Sequence, residues 1–373
     1  MKLMKLKTLI AVTLVCLTAV SCGQKVRTLG QQTIQFVRSI LGDSESPEIK
    51  ILKSYDPTLH DAAIYVIGDS LSCSFISEEL KNSDDRDNID GVGEPDGLPD
   101  FAGERIAVLE DVANGPYETL VLDGKTDTLR ELTVRMVLKA VDTLCFLSPF
   151  DNMGLGSKSA AKMVVIASPA ASAYGGFDVD SLMHASGCNL PVVSPSSILI
   201  DRIVDREGIT VAVVTSPERA VSGIYQKLCE TAAQNRGFTS VNCVSVPVSS
   251  KSMSLTGMLD TYVGLDNESP VDILLIDDMV VDASGLEKEL EFIRSVMNAE
   301  YLKYAEVLAA DFRIVRSAPI VRSECYRILR ERNLFTHKVA YPVVESYLNI
   351  QRDSLSGLAS NIMIEYNSRY LPQ

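Results

Sequence analysis

The sequence predicts an α/β fold made of two Rossmann-like parallel-sheet domains with a cleft between them. Two observations carry this. Short, uniformly apolar runs recur along the chain: AAIYVI at 62–67, MVVIA at 163–167, ITVAVV at 209–214 and DILLI at 272–276. Strands this apolar are buried on both faces, which is a mark of parallel sheet. Amphipathic stretches of helical period separate the runs, as parallel crossovers require. The length of 373 residues suits two domains at roughly 100–200 residues each.

The elements follow in order. Residues 22–60 are polar and mixed, and are expected to form a tether with a lead-in helix. AAIYVI is a strand ending at Gly68, and a helical stretch follows to Leu80. Asn82 to Glu104 is acidic, Gly-rich and loop-like; Arg105 to Leu109 is a strand, and Thr128 to Thr143 a helix. MVVIA is a strand, Asp180 to Ser186 starts a helix, Leu190 to Val193 is a strand and Ser196 to Val204 a helix. ITVAVV leads to a helix from Ala220 to Asn235, then a strand from Ser240 to Val246. DILLI leads to a long helix reaching about Leu308, and Phe312–Val315 and Pro319–Val321 close the pattern. The first domain is expected at 61–195 and again at 311–373, and the second at 196–310.

The N-terminus reads as an address. Met1 to Lys7 is basic, Thr8 to Val20 is apolar but short for a membrane span, and Ala19-Val20-Ser21-Cys22 follows. Residues 1–21 are expected to be a signal peptide. A small residue before Cys22 fits a bacterial lipobox, although Ala19 stands where Leu is usual; ordinary cleavage at the same Ala-x-Ser site is the alternative. A lipidated Cys22 anchors an exported protein to a membrane, on the periplasmic face of a bacterial envelope. The net charge is −14, more negative once Lys2, Lys5 and Lys7 are removed, and it repels phosphate backbones; nucleic acid is excluded as a partner. Six cysteines remain after Cys16 and Cys22. No pair has zinc-like spacing, so no metal is expected, and most should be buried free thiols.

In parallel α/β folds, ligands bind at the carboxyl ends of strands. Here those ends carry Gly68-Asp69-Ser70, Glu110 to Tyr117 (EDVANGPY), Ser168-Pro169-Ala170-Ala171-Ser172, Val213 to Tyr225 (VVTSPERAVSGIY) and Asp277-Asp278-Met279. Small hydroxyls, carboxylates and an amide suit a small polar ligand, although Ser168, Ser216 and Asp277 equally suit helix caps.

In their order, these segments resemble the aspartate/glutamate racemase superfamily, from about residue 62 to 325. EDVANGPY matches that family's Gly-Asp-Thr-Ala-x-x-Pro-Tyr-Gly, and VVTSPERAVSGIY its Thr-rich turn and Ser-Gly-x-Tyr helix start. The resemblance implies a cofactor-free reaction in which two cysteines exchange the α-proton of a small amino acid or dicarboxylate. Both cysteine positions are substituted: Ser168 stands at the first, and Asp278 at the second, or Asp277 if the register slips by one. A serine hydroxyl is a poor base without a partner, so a two-thiol racemase is disfavoured. By the same resemblance Asp69, Ser70, Asn114, Tyr117, Ser172, Thr215 and Ser222 retain polar character around the substrate. Arg219 is read either as a partner for a ligand carboxylate or as a solvated helix-start residue. The expected function is therefore recognition of a small amino acid or dicarboxylate, or modified isomerase-type proton transfer on it. A non-catalytic scaffold, in a family whose members often dimerise, is the alternative.

Two rivals are weaker. Gly68-Asp69-Ser70-Leu71 spells the signature of GDSL esterases, but a nucleophilic Ser70 needs a histidine base, and His60, His184 and His337 lack the required setting. The acidic loop from Asp84 to Asp100 fails calcium-loop spacing and reads as a solvated insertion.

Overall fold

In the computed structural model the described residues are 31–88, 91–146, 155–265, 267, 269–295, 299–352 and 360–365. The expected signal peptide and the anchor Cys22 lie outside them.

The apolar runs form the centres of two sheets. The first sheet is built on β1 (Ala63–Gly68), β2 (Arg105–Asp111), β5 (Ala161–Ile166) and β6 (Val192–Val193), all parallel. β11 (Val343–Arg352) adds on beside β2, also parallel, and β12 (Ser360–Glu365), β3 (Leu144–Phe146) and β4 (Leu155–Ser157) complete the order β4-β3-β12-β11-β2-β1-β5-β6. The second sheet has the order β10-β9-β7-β8, all parallel: β7 (Thr210–Thr215), β8 (Asn242–Pro247), β9 (Val271–Ile276) and β10 (Leu308–Arg316). β1, β5 and β7 are buried along their whole length because helices cover both faces, which is why their sequences carry no polar alternation.

Helices connect the strands, several of them starting directly at strand ends. They are α3 (Ser70–Asn82), α4 (Tyr117–Leu122), α5 (Thr126–Val141), α6 (Pro169–Ser186), α7 (Pro195–Ile203), α8 (Pro217–Ser222) and α9 (Ile224–Arg236), with α10 (Leu255–Val263), α11 (Leu286–Ser295) and α12 (Ala299–Val307) in the second half. Four of the first turns are capped by side chains: Asp69 accepts from Ser72 N, Ser168 from Ala171 N, Ser216 from Arg219 N and Ser254 from Gly257 N.

Four expectations need correction. Residues 34–53 are not tether: α1 (Gln35–Gly42) and α2 (Pro47–Lys53) bury Val37, Ile40, Ile49 and Leu52 in the core of the first sheet. Asp178 fastens this segment, accepting from Ile34 N at 2.9 Å. The helix beginning at Ala220 is broken at Gly223, whose φ of 69° ends α8 and starts α9. The long helix towards Leu308 is two helices, α11 and α12, and β10 carries the second sheet past residue 310. Pro319–Val321 lies inside α13 (Ser317–Glu331), which packs back against the first sheet's helices.

Candidate functional site

The first sheet supplies a floor from the ends of β1, β2 and β5. Gly68 has φ 153°, and a Cβ there would sit 3.1 Å from Ser168 N, so glycine lets the ends of β1 and β5 close up. Asp69 follows and is 4% exposed. Its Oδ1 caps α3 through Ser72 N (3.1 Å), while its Oδ2 is buried without a hydrogen-bond partner. Gly115 approaches it closely, a Cβ there lying 3.4 Å from Asp69 Cβ.

Behind this floor Asp111 is a fully occupied hub. It accepts from Asn114 Nδ2 (2.8 and 3.0 Å), Tyr117 OH (2.7 Å) and Asn349 Nδ2 (2.7 Å). Asn349 comes from β11, where parallel register places it beside Asp111, and it accepts in turn from Lys139 Nζ of α5. Burial lowers the Lys139 ammonium to about 8, and burial first, then Asp111, raises the Tyr117 phenol well above its usual range. Tyr117 therefore stays a neutral donor to Asp111.

The second sheet faces the floor with a charge cluster. Arg219 of α8 is 3% exposed. Its Nε donates to Glu118 Oε1 (2.8 Å) of α4, Nη1 to Asp277 Oδ2 (2.8 Å) at the end of β9, and Nη2 to Ser72 Oγ (3.2 Å) of α3. Asp277 Oδ2 also accepts from Thr215 Oγ1 (2.9 Å) and Tyr225 OH (2.8 Å), and Oδ1 from Met279 N (3.3 Å). Glu118 and Ser72 belong to the first domain, Arg219 and Asp277 to the second. One buried guanidinium thus joins the domains across the cleft. Arg219 is not solvated: its guanidinium is held in an internal ion pair with Glu118 and Asp277. The signal available was an Arg and a Glu in two segments that the fold buries together.

At the two substituted thiol positions both side chains carry structural hydrogen bonds. Ser168 is fully buried, and its hydroxyl is engaged as the α6 cap at 3.5 Å. Among the described residues no acid or base is hydrogen-bonded to it. Asp278 points to another task. Its Oδ2 accepts from Ala318 N (2.9 Å) and Ser317 Oγ (3.2 Å), and its Oδ1 from Arg316 Nε (2.9 Å). It fastens the start of α13, and Asp277, one residue earlier, is the member of the cluster. Cys73 is buried against Val66 O and Leu109 O, and burial holds its thiol well above the ordinary range, so it supplies no thiolate.

The remaining residues divide. Asn114, Tyr117 and Thr215 lie in the site but are tied to Asp111 or Asp277. Ser70 is exposed at the start of α3. Ser172 donates to Ile166 O (3.4 Å) and lines a cavity among α6, α7 and α9. Ser222 closes α8 by donating to Arg219 O (2.7 Å). His60 and His337 are neighbours, with ring centroids 5.2 Å apart. His60 precedes β1 and Ser70 follows it, a separation of roughly 20 Å along a six-residue strand. Neither histidine can serve Ser70 as a base. In the acidic loop the carboxylates serve the backbone: Asp84 accepts from Asp96 N and Gly97 N, and Asp100 from Asp85 N and Arg86 N. Asn349, Lys139, Glu118 and Tyr225 were missed as site residues.

No family model matches the chain, and no curated protein matches it. At the level of fold it is similar to solved glutamate racemases. These include the enzyme of Francisella tularensis in complex with D-glutamate (14% identity, TM-score 0.44, covering 78% of this chain and 89% of that one). A glutamate racemase isoform of Bacillus anthracis gives 16%, 0.43, 79% and 90%. The Campylobacter jejuni enzyme gives 16%, 0.41, 79% and 95%.

Proposed function

We propose that the chain is an exported, Cys22-anchored module that binds a small zwitterionic amino acid in its interdomain cleft and does not move the α-proton. The observation that carries this reading is Asp69 Oδ2, a buried carboxylate oxygen at the strand ends with no donor. Such an atom costs about 1–3 kcal/mol until something satisfies it, and a ligand ammonium is a donor of the right charge. Arg219 across the cleft supports the second contact, a ligand carboxylate exchanging with Glu118. A dicarboxylate is less suited, since Asp69, Asp111, Glu118 and Asp277 already outnumber the cations there. Binding without chemistry is supported by the structural tasks of Ser168 and Asp278.

The test is a thermal-shift screen against both enantiomers of Ala, Ser, Asp and Glu, with hits moved into D₂O to follow α-proton exchange by NMR. A ligand at 100 times its Kd adds about 2.7 kcal/mol. The expected result is a shift without exchange, abolished in Asp69→Asn, which keeps the α3 cap because Asn also caps. Exchange would overturn the non-catalytic part. No shift with any amino acid would overturn binding and leave a scaffold whose cleft is closed by its own charges.

A further inference from the structure

Away from the charge cluster, a cavity of about 390 Å³ opens among α6, α7 and α9. The volume lies within the roughly 300–1,000 Å³ typical of small-molecule sites. One part of the wall is apolar, from Phe177 of α6, Ile198 of α7 and Leu228 of α9. The polar part includes Asp180 and Asp201, with Arg236. Arg236 is committed to Asp201, donating to its backbone oxygen at 2.5 Å and to its carboxylate at 3.2 Å. Asn235 also lines the cavity, and its Oδ1 is buried with no hydrogen-bond partner.

Of two adjacent glycines in α6, one keeps this space open. A glycine inside a helix costs about 0.5–1 kcal/mol relative to alanine and needs a reason. Gly175 has one in packing: a Cβ there would lie 2.4 Å from Thr133 Cβ and Oγ1. Gly176 has no such reason. A Cβ there would meet only Ser194 Oγ, at 3.8 Å, and Gly176 lines the cavity. A larger residue would strengthen the helix and fill the space; glycine gives up that stability and leaves the cavity empty.

We propose that this cavity is a second ligand site, taking a small amphiphilic primary amine with an apolar body against Phe177, Ile198 and Leu228. Its ammonium donates to Asn235 Oδ1 and is balanced by Asp180. The unpartnered acceptor selects a donor, and Asp180 selects positive charge, since Asp201 is already paired with Arg236. Because α6 leads from the first sheet and α9 from the second, an occupant touches both domains and opposes their separation.

Phenethylamine is the probe, with 2-phenylethanol and 3-phenylpropanoate as neutral and anionic counterparts, read on the whole chain by saturation-transfer NMR and thermal shift. The expected result is binding of the amine, at least tenfold tighter than the alcohol, and none of the acid. Gly176→Leu should abolish it with a melting temperature equal to or above that of the parent, so that lost binding is not lost folding. Asn235→Leu should weaken amine binding at least tenfold. Failure of the amine to bind the parent chain, equal binding of amine and alcohol, or amine binding that survives Gly176→Leu would each overturn the proposal. Asp69→Asn should leave amine binding intact, which keeps this site's fate separate from that of the cleft.

Discussion

Replacing Arg219 by Met tests the central feature of the cleft. The guanidinium donates to two carboxylates, a hydroxyl and the Met279 sulfur, all from a position 3% exposed. Removing one partner of a buried ion pair costs about 3–5 kcal/mol, because the other charge is left uncompensated. The donors that remain on Asp277 place this case at the low end, against the loss at Glu118. Asp277 keeps the Thr215 and Tyr225 hydroxyls and Met279 N as donors, while Glu118 loses the one charged partner recorded for it. A loss of about 3 kcal/mol corresponds to a fall in melting temperature of about 6–12 °C for a domain of 150–250 residues. Calorimetry at low and at 0.5 M salt is the assay, and salt should change the difference little because the pair is shielded from solvent. Adding Glu118→Gln to Arg219→Met should cost less than the two singles together, by about 1–2 kcal/mol of coupling. A fall of less than 2 °C, or strict additivity of the two changes, would refute the reasoning that Arg219 holds the domains through buried charge.

Asp278→Ala should lower stability by about 1–2 kcal/mol through loss of the α13 cap; in a ligand-binding assay it should behave as the parent, and lost binding at unchanged melting temperature would return Asp278 to the cleft. Burial lowers Lys158 and Lys139 each to about 8. Between pH 8 and 10 the unfolded chain therefore holds more lysine protons than the folded one, and this contribution to stability rises with pH; Lys158→Met should flatten the rise in denaturation midpoint, and an unchanged slope would contradict the assignment. Gly175→Ala should destabilise by about 1–3 kcal/mol through collision with Thr133, measured by thermal melting, and a neutral or stabilising outcome would show that α5 and α6 can separate cheaply. Cys73 should resist iodoacetamide at pH 8 in the native chain and react on unfolding; rapid native labelling, read by mass spectrometry, would contradict its burial.

The strands that organise the fold were legible because burial on both faces leaves an all-apolar run, as in β1, β5, β7 and β9. β11 was not. VVESYLNIQR mixes apolar and polar residues without a run of that kind, and its place beside β2 is set by tertiary pairing across more than two hundred positions. Asn349 was lost with it, and so was the connection from Lys139 to Asp111. The residues around the cleft were legible as positions, since strand ends followed by caps are visible in sequence. Their tasks were not, because a task depends on which partner arrives from the other domain. Arg219 looks the same in sequence whether it awaits a ligand or meets Glu118. Asp277 and Asp278 differ by one position, and only the direction of the turn after β9 decides which faces Arg219 and which caps α13.

The internal pairing of Arg219 sets a concentration scale for anything that binds beside it. The proposed site is already electrostatically complete on its arginine side, so an incoming carboxylate would gain only the difference between itself and Glu118. If the displaced contact is worth about 2 kcal/mol, affinity falls roughly 30-fold relative to an open arginine. Such a site ignores traces and fills only when its ligand is plentiful. Under the proposed function, that would make the module a gauge of abundance rather than a scavenger.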